Sequence, residues 1–459
     1  MTIEKALAAL AGLLGDRFTT SAALREQHGH GESYHGLKLP DAVAFPTSTA
    51  EVAAIVKVCA AENVPVIPFG AGTSLEGHVA ALRGGVSLDL TKMDRILAVR
   101  AEDLDCTVEP GVTRMQLNAH LRDMGLFFPI DPGANATLGG MTATRASGTN
   151  AVRYGTMKDN VLGLTVVTAQ GNIIRTGGRA RKSSAGYDLT RLFVGSEGTL
   201  GVITAITLRL HGIPAAISSA VCSFPTVDAA VEAVIATIQA GIPVARIELL
   251  DEHQMKACIG YSKLEGFVVA PTLFYEFHGS EAGVAEQAEQ AMAIAHEHGG
   301  GDARWTTRPE ERTKLWQARH DAYYAALSLR PGAKAWPTDV CVPISKLAQC
   351  IAETRTDVAE SGLLAPLVGH VGDGNFHLQF LIHPDDPAEM ERAKVVNKKM
   401  VRRAIAMGGT CTGEHGVGYG KIDSMNEEHG EAVQLMAAIK HALDPQNIMN
   451  PGKIIPLAA

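Results

Sequence analysis

At 459 residues the chain is too long for one ordinary hydrophobic core, so two or three domains are expected. Hydrophobic residues make up 46% and charged residues 20%, the balance of a globular protein with large cores, and a formal net charge of -8 gives no general attraction to nucleic acid or anionic membranes. No apolar run reaches the roughly 18 residues that a membrane span needs. The seven cysteines (59, 106, 222, 258, 341, 350 and 411) are scattered and never spaced C-x-x-C. That pattern argues for reduced thiols in a cytoplasmic compartment, with peripheral attachment at an inner membrane face left open. It argues against a zinc ribbon or a self-contained iron–sulfur cluster.

Residues 1–36 read as an N-terminal helical segment. The run Ala6-Leu-Ala-Ala-Leu-Ala-Gly-Leu-Leu14 is short, follows Glu4 and lacks a clean cleavage site, so it predicts the buried face of a first helix rather than a secretion signal. His28-Gly-His30 and His35 follow; an isolated H-x-H specifies little and is read as solvated. From Pro40 strand and helix alternate. Ser48-Thr-Ala-Glu51 is a capping box opening an apolar-periodic helix, and Val64-Pro-Val-Ile67 is a strand. Directly after it comes Gly70-Ala71-Gly72-Thr73-Ser74-Leu-Glu-Gly77, whose backbone N–H groups and hydroxyls suit an anion, although it is neither G-x-G-x-x-G nor a Walker loop. Alone, it serves equally well as a turn with no ligand. Further strands and a helix capped by Thr113 lead to a second glycine-rich block, Asp131-Pro132-Gly133 through Thr137, Gly139, Gly140, Ser147, Gly148 and Asn150 to Arg153-Tyr154-Gly155. A third, Gly195-Ser-Glu197-Gly198-Thr-Leu-Gly201-Val-Ile203, precedes a β-branched strand. Such runs of small side chains pack poorly by themselves, and three of them suit a long dinucleotide lying across a domain.

The order Pro-Phe-Gly-Ala-Gly-Thr-Ser, Pro-Gly-Ala-x-x-x-x-Gly-Gly, Arg-Tyr-Gly and Gly-Ser-Glu-Gly-Thr-Leu-Gly resembles the FAD-binding domain of the vanillyl-alcohol oxidase and p-cresol methylhydroxylase flavoproteins over residues 37–213. The resemblance implies that Gly70, Ala71, Gly72, Thr73, Ser74 and Gly77 meet the pyrophosphate. It implies that Pro132, Thr137, Gly140, Ser147, Gly148, Asn150, Gly155, Glu197, Gly198 and Ile203 line the rest. Some relatives link flavin covalently to a histidine near the position of His78; the surroundings here resemble the noncovalent branch, so FAD is expected to be noncovalent.

Residues 214–427 read as a second α/β region. A helix near 226–240, strands Ala245–Leu250 and Thr272–Phe277, and a helix near 281–298 predict a ferredoxin-like α+β cap with an antiparallel sheet. Arg319, on the helical stretch Trp316–Tyr323, reads by itself as a surface ion-pair residue. In Leu367-Val-Gly-His370-Val-Gly-Asp-Gly-Asn-Phe-His377-Leu-Gln379 the Asp373-Gly374 pair predicts a two-residue hairpin turn, with His370 directly across from His377. Opposed strand residues have Cβ atoms about 4.5–5.5 Å apart, from which two imidazoles can converge on one metal. Glu414 is the candidate third ligand, with His415 beside it. The same stretch also reads as a polar hairpin with no metal. Phe376, Leu378, Phe380 and Ile382 form an apolar face, and His377 and Gln379 share the other.

Trp-x-Ala-Arg-His, Thr-Asp-Val-Cys-Val-Pro-Ile-Ser, Gly-His-Val-Gly-Asp-Gly-Asn-Phe-His and Thr-Gly-Glu-His-Gly-Val-Gly together resemble the FAD-dependent D-2-hydroxyacid dehydrogenases, over nearly the whole chain and closest to the D-lactate type. The fold implied is α+β: a two-subdomain FAD-binding domain, a ferredoxin-like cap, and a C-terminal helical segment (428–459) that returns to the flavin. By this resemblance His370, His377 and Glu414 bind a divalent metal, Zn or Mn, His415 is the catalytic base, and Arg319 holds the substrate carboxylate with Tyr323 and Gln379 near it. Asn450 lies near the flavin ring. The reaction implied is oxidation of a small D-2-hydroxy acid, most simply D-lactate, with an external acceptor: a quinone, a cytochrome or an electron-transfer flavoprotein. Relatives acting on D-2-hydroxyglutarate carry a lysine where this chain has Pro337, two residues before Asp339, which favours a monocarboxylate. D-2-Hydroxyglutarate or glycolate oxidation, a His/His/Glu zinc hydrolase and a flavin-binding sensor or subunit are the rivals. A homodimer is left open.

Overall fold

The computed structural model describes residues 3–32, 34–180 and 182–456. Its contacts divide the chain into two units: residues 1–147, 155–213 and 414–459 form one, and residues 148–154 and 214–413 form the other. One division falls at 213/214, where the composition changes. The sequence alone groups 148–154 with the first domain and 414–427 with the second; contacts group them the other way, because Val152 packs into the second unit's core and Val417 bonds to Glu197 of the first. Among the described residues no helix is long and apolar enough to cross a membrane.

Among the described residues the first unit holds two main sheets and a two-stranded pair, Leu126–Phe127 with His211–Gly212. Ala42–Ala44, Val86–Asp89 and Val66–Phe69 are parallel neighbours, with Phe18–Thr19 antiparallel at the edge. The second sheet is antiparallel, in the order Ile96–Arg100, Asp105–Val108, Val202–Arg209, Val161–Val167, Ile173–Gly177. The helix Thr49–Glu62 begins where predicted, with Ser48 Oγ accepting from the Glu51 N–H, and ends at Asn63 in the left-handed region. The expected capping box is only half formed, because the Glu51 carboxylate accepts from the Thr47 N–H and from Arg17 instead of the Ser48 N–H. Its Val52, Ile55, Val56 and Cys59 bury against Leu10 and Leu14 of the first helix and against Val66 and Val86. Each such aliphatic side chain contributes about 1.5–3 kcal/mol by leaving water. His28 is buried, with Nε2 2.9 Å from Asp89, and is not solvated as its loop context suggested.

The second unit is one long antiparallel sheet, in the order Arg304–Thr306, Ala216–Ser223, Thr272–Gly279, Val244–Leu250, Leu367–His370, Asn375–Ile382, Lys334–Pro337. Period-two alternation gives it two unlike faces. Leu273, Tyr275 and Phe277, with Ile247, Leu249, Phe376, Leu378, Phe380 and Ile382, pack against the helices Val227–Gln239, Glu281–Glu297, Leu347–Ser361 and Pro387–Ala406. The apolar face expected for Phe376 to Ile382 is therefore present. The opposite face carries Arg246, Glu248, Glu276, His278, His370, Asn375, His377 and Gln379.

The hairpin differs from its predicted register. His370 pairs with Asn375 and Val368 with His377, so His370 and His377 are diagonal rather than opposed. The turn holds four residues, not two. Asp373 N–H donates to His370 O at 3.0 Å and Gly374 N–H to Val371 O at 3.4 Å, while the Val371 side chain sinks into the core and cannot join the ladder. Gly374 closes the turn at φ +78°, where an added Cβ would lie 2.0 Å from Val342 O. Gly374→Ala is accordingly expected to cost about 1–3 kcal/mol from the left-handed backbone alone, with the clash added. A thermal midpoint unchanged from that of the parent would contradict this account of the turn.

Candidate active site

On the polar face of the second unit, Glu248 lies on a strand between residues that face the core, and it is fully buried. Its Oε1 accepts from His370 Nδ1 at 2.7 Å and its Oε2 from Arg319 Nε at 2.8 Å. Burial alone would raise its pKa; its interactions with His370 and Arg319 overcome this and hold it below the usual carboxylate range. Arg319 is thus not a surface ion-pair residue. Its helix, Pro309–His320, is seated by Trp316, whose indole N–H donates to Ser219 Oγ at 3.0 Å.

His377 Nδ1 donates to Thr338 O at 2.8 Å. With Nδ1 of each histidine committed as a donor, the neutral ring carries its lone pair on Nε2, the form a divalent ion requires. The two rings stand 5.4 Å apart at 81°. Beneath them Asp339, also fully buried, accepts from Asn375 Nδ2 and from Thr412 Oγ1, each at 2.7 Å. Gln379 sits on the same strand face as His377, directly across from Pro337, and its buried Oε1 has no hydrogen-bond partner among the described residues. Such an atom costs stability unless a ligand supplies the donor. Tyr323, on the helix Ala322–Ser328, is 42% exposed and edge-on to Tyr324. The donor chemistry, two correctly tautomerised imidazoles, fits a divalent metal.

Some of the residues predicted in the first unit's glycine-rich loops come together. Gly70, Thr137, Gly140, Gly198 and Ile203 line one cavity with Pro68, and the buried hydroxyls of Ser74 and Ser196 have no hydrogen-bond partner among the described residues. Ala71, Gly72 and Thr73 continue the loop after the strand Val66–Phe69, and Gly77 packs on Tyr419. Pro132 precedes the helix Leu138–Thr144, and Ser147 and Gly155 flank the segment that joins the second unit. That segment contains Gly148 and Asn150, and Asn150 Oδ1 accepts from Arg246 Nε at 2.9 Å. The Glu197 carboxylate is engaged by the chain's own backbone. Its two oxygens accept the N–H groups of Val417 and Gly418 at 2.7 and 2.8 Å. Asn450 Nδ2 donates to the carbonyls of His78 and Glu197, and Lys453 Nζ donates to Ala80 O at 2.7 Å and to Asn450 Oδ1 at 3.2 Å. Burial pushes the Lys453 ammonium down to about 7, with the Glu197 charge acting against it.

Glu414 and His415 open the last segment of the first unit. Glu414 is one peptide bond beyond Gly413, where an added Cβ would lie 2.4 Å from Asn375 Nδ2 and 3.2 Å from Asp339 Oδ1, and consecutive Cα atoms are about 3.8 Å apart. His415 contributes to the field that holds the buried Glu76 carboxyl low. There burial acts upward and Lys421, His35 and His415 act downward. Sequence reasoning missed Glu248 and Asp339 as site residues. The available signal was an acid at an inward position of an apolar strand, Ala245-Arg-Ile-Glu-Leu-Leu250.

A family model for the C-terminal domain of FAD linked oxidases matches residues 213–454, and one for an FAD binding domain matches 40–177. The chain is 52% identical to a probable mitochondrial D-lactate dehydrogenase of Danio rerio, over 99% of this chain and 92% of that protein. It is 48% identical to a mitochondrial D-lactate dehydrogenase [cytochrome] of Arabidopsis thaliana, over 99% of this chain and 80% of that protein. Among solved structures, p-cresol methylhydroxylase with substrate bound superposes with a TM-score of 0.81 at 20% identity, covering 98% of this chain and 96% of that one. That likeness establishes the two-domain flavoprotein fold.

Within the loop cavity, a Cβ on Gly140 would meet only Thr137 Oγ1, at 3.2 Å, so a larger side chain there enters ligand space rather than the protein. Gly140→Leu should fold with unchanged circular dichroism and purify without flavin. Full flavin content in this variant would remove the cavity from the cofactor site.

Proposed function

The chain belongs to the FAD-linked oxidase family, and from that premise we propose that it oxidises D-lactate to pyruvate with a divalent metal, Zn or Mn, and noncovalent FAD. The observation that carries the reading is the shared anchoring of Arg319 and His370 on Glu248, which sets a carboxylate-binding fork beside a metal-ligating imidazole. Both full-length relatives described above bear the name D-lactate dehydrogenase.

The roles follow from the side chains. Arg319 bonds Glu248 through Nε and keeps its two terminal nitrogens for the substrate carboxylate, a bidentate arrangement that also orients the α-carbon. The buried Gln379 Oε1, which has no partner among the described residues, accepts a hydrogen bond from the substrate, and Tyr323 is the further substrate-side residue. His370 and His377, with Glu414, would hold the metal, which when bound lowers the pKa of the substrate hydroxyl as a Lewis acid. His415 takes the hydroxyl proton. The glycine loops would hold FAD, which would supply the hydride acceptor for the α-carbon. The α-carbon thus loses H⁻, the hydroxyl loses H⁺, and the 2-oxo acid remains. The electrons leave to an external acceptor, and the relatives named for a cytochrome favour that class over a quinone or an electron-transfer flavoprotein. Pro337, opposite Gln379, offers an uncharged wall where a second carboxylate would need a cation, which favours lactate over a dicarboxylate. The seven free thiols suit a reducing compartment, cytoplasm or, as in the relatives' names, mitochondrion.

Anaerobic addition of D-lactate should bleach the yellow flavin, L-lactate and D-2-hydroxyglutarate should not, and prior chelation should prevent bleaching until Zn or Mn is restored. A flavin that no hydroxy acid reduces would favour a sensor or subunit instead. His415→Ala should slow flavin reduction by about 10²–10⁴-fold while flavin and metal contents stay at parent levels; parent-like reduction rates would remove His415 as the base.

A further inference from the structure

We propose that Glu248 is a positioning residue that locks the metal-binding and carboxylate-binding halves of the site into one rigid unit, and that it sets the tautomer of His370. The inference rests on the reading of His370 and Arg319 just given and extends it to a residue that touches neither metal nor substrate.

Three observations carry it. First, each Glu248 oxygen has its own donor, His370 Nδ1 at 2.7 Å and Arg319 Nε at 2.8 Å, so one carboxylate fixes both side chains at their inner edges. The outer edges, imidazole Nε2 and the guanidinium fork, are the atoms that would meet ligands. Second, Glu248 is fully buried on a strand with neighbours on both sides, Thr272–Gly279 and Leu367–His370, so it cannot relax to follow a displaced partner. Third, the Arg319 helix is separately pinned by the Trp316 to Ser219 bond, and Arg246 lies over the Trp316 ring at 5.2 Å. Any buried carboxylate needs donors for both oxygens; here both donors are side chains that also carry a ligand-binding end.

The two substitutions that follow have different consequences. In Glu248→Gln the amide keeps one acceptor, and the permanent Arg319 N–H donor claims it. The amide NH₂ then faces His370 Nδ1, and the ring must carry its proton on Nε2, the nitrogen meant for the metal. In Glu248→Met both anchors go.

The test uses the FAD-loaded protein, with flavin content and thermal midpoint reported for every variant. Zn²⁺ affinity is measured by chelator competition, and propionate affinity by saturation-transfer NMR on metal-free protein. Glu248→Gln should lose about 10–100-fold in Zn²⁺ affinity and keep propionate affinity within about threefold, since the Arg319 anchor survives as a neutral hydrogen bond. Glu248→Met should lose both. Parent-like Zn²⁺ affinity in Glu248→Gln, or parent-like propionate affinity in Glu248→Met, overturns the proposal while leaving His370 and Arg319 in their roles. His370→Ala and Arg319→Ala are the controls: Zn²⁺ binding indifferent to His370→Ala, or propionate binding indifferent to Arg319→Ala, brings down the underlying assignment and this one with it.

Discussion

Two buried carboxylates govern the second unit. Glu248 and Asp339 are both fully buried, and taking a carboxylate out of water costs several kcal/mol even after the protein relaxes. That cost is met only when every oxygen finds a donor. Glu248 finds His370 and Arg319; Asp339 finds Asn375 and Thr412. The partners come from separated parts of the chain: the helix Pro309–His320, the strands Leu367–His370 and Asn375–Ile382, and the stretch around Thr412. The sheet cannot close with Glu248 satisfied unless His370 and Arg319 arrive in the orientations that bond it. Folding and assembly of the site are one event, and the apolar face of the same strands supplies the burial that drives it.

The first unit solves a different problem. Its loops must leave space for an extended ligand, so their small residues cannot supply their own packing. The C-terminal segment makes up the deficit through buried cations and amides. Lys440 Nζ donates to Thr199 O at 2.7 Å and Met449 O at 2.8 Å and pairs with Asp444, while Asn450 and Lys453 bind the carbonyls of residues 78, 80 and 197. Glu197 returns the contact by holding the N–H groups of Val417 and Gly418, next to His415 in the chain. Its backbone sits at φ +52°, a left-handed conformation disfavoured for a non-glycine residue, which two charge-assisted hydrogen bonds can sustain.

What the residues alone disclosed, and what they did not, divides along the range of the interaction. Alternation along Phe376 to Ile382 and the Ser48 cap are local, and both appear as expected. The glycine loops were legible because few other residues tolerate close backbone approach at several points. The hairpin register was not, because Asp373-Gly374 suggests a two-residue turn and only the pull of Val371 into the core lengthens it. Glu248 was missed for a related reason. An acid on a strand reads as solvent-facing until its partners, 71 and 122 residues away, are known. His28 likewise shows as a loop histidine until Asp89 is placed beside it.

The two histidines differ in a way that bears on the chemistry. His370 donates Nδ1–H to a full carboxylate, His377 to the carbonyl of Thr338, with Asp339 Oδ1 farther off at 3.7 Å. A charged acceptor withdraws the Nδ1 proton more strongly than a neutral one and makes Nε2 the better electron donor. In the proposed metal site His370 would therefore be the stronger donor of the two, with its strength set by the same carboxylate that anchors Arg319. The guanidinium also draws on that carboxylate's charge, so donor strength at His370 and placement of the carboxylate-binding fork are adjusted together.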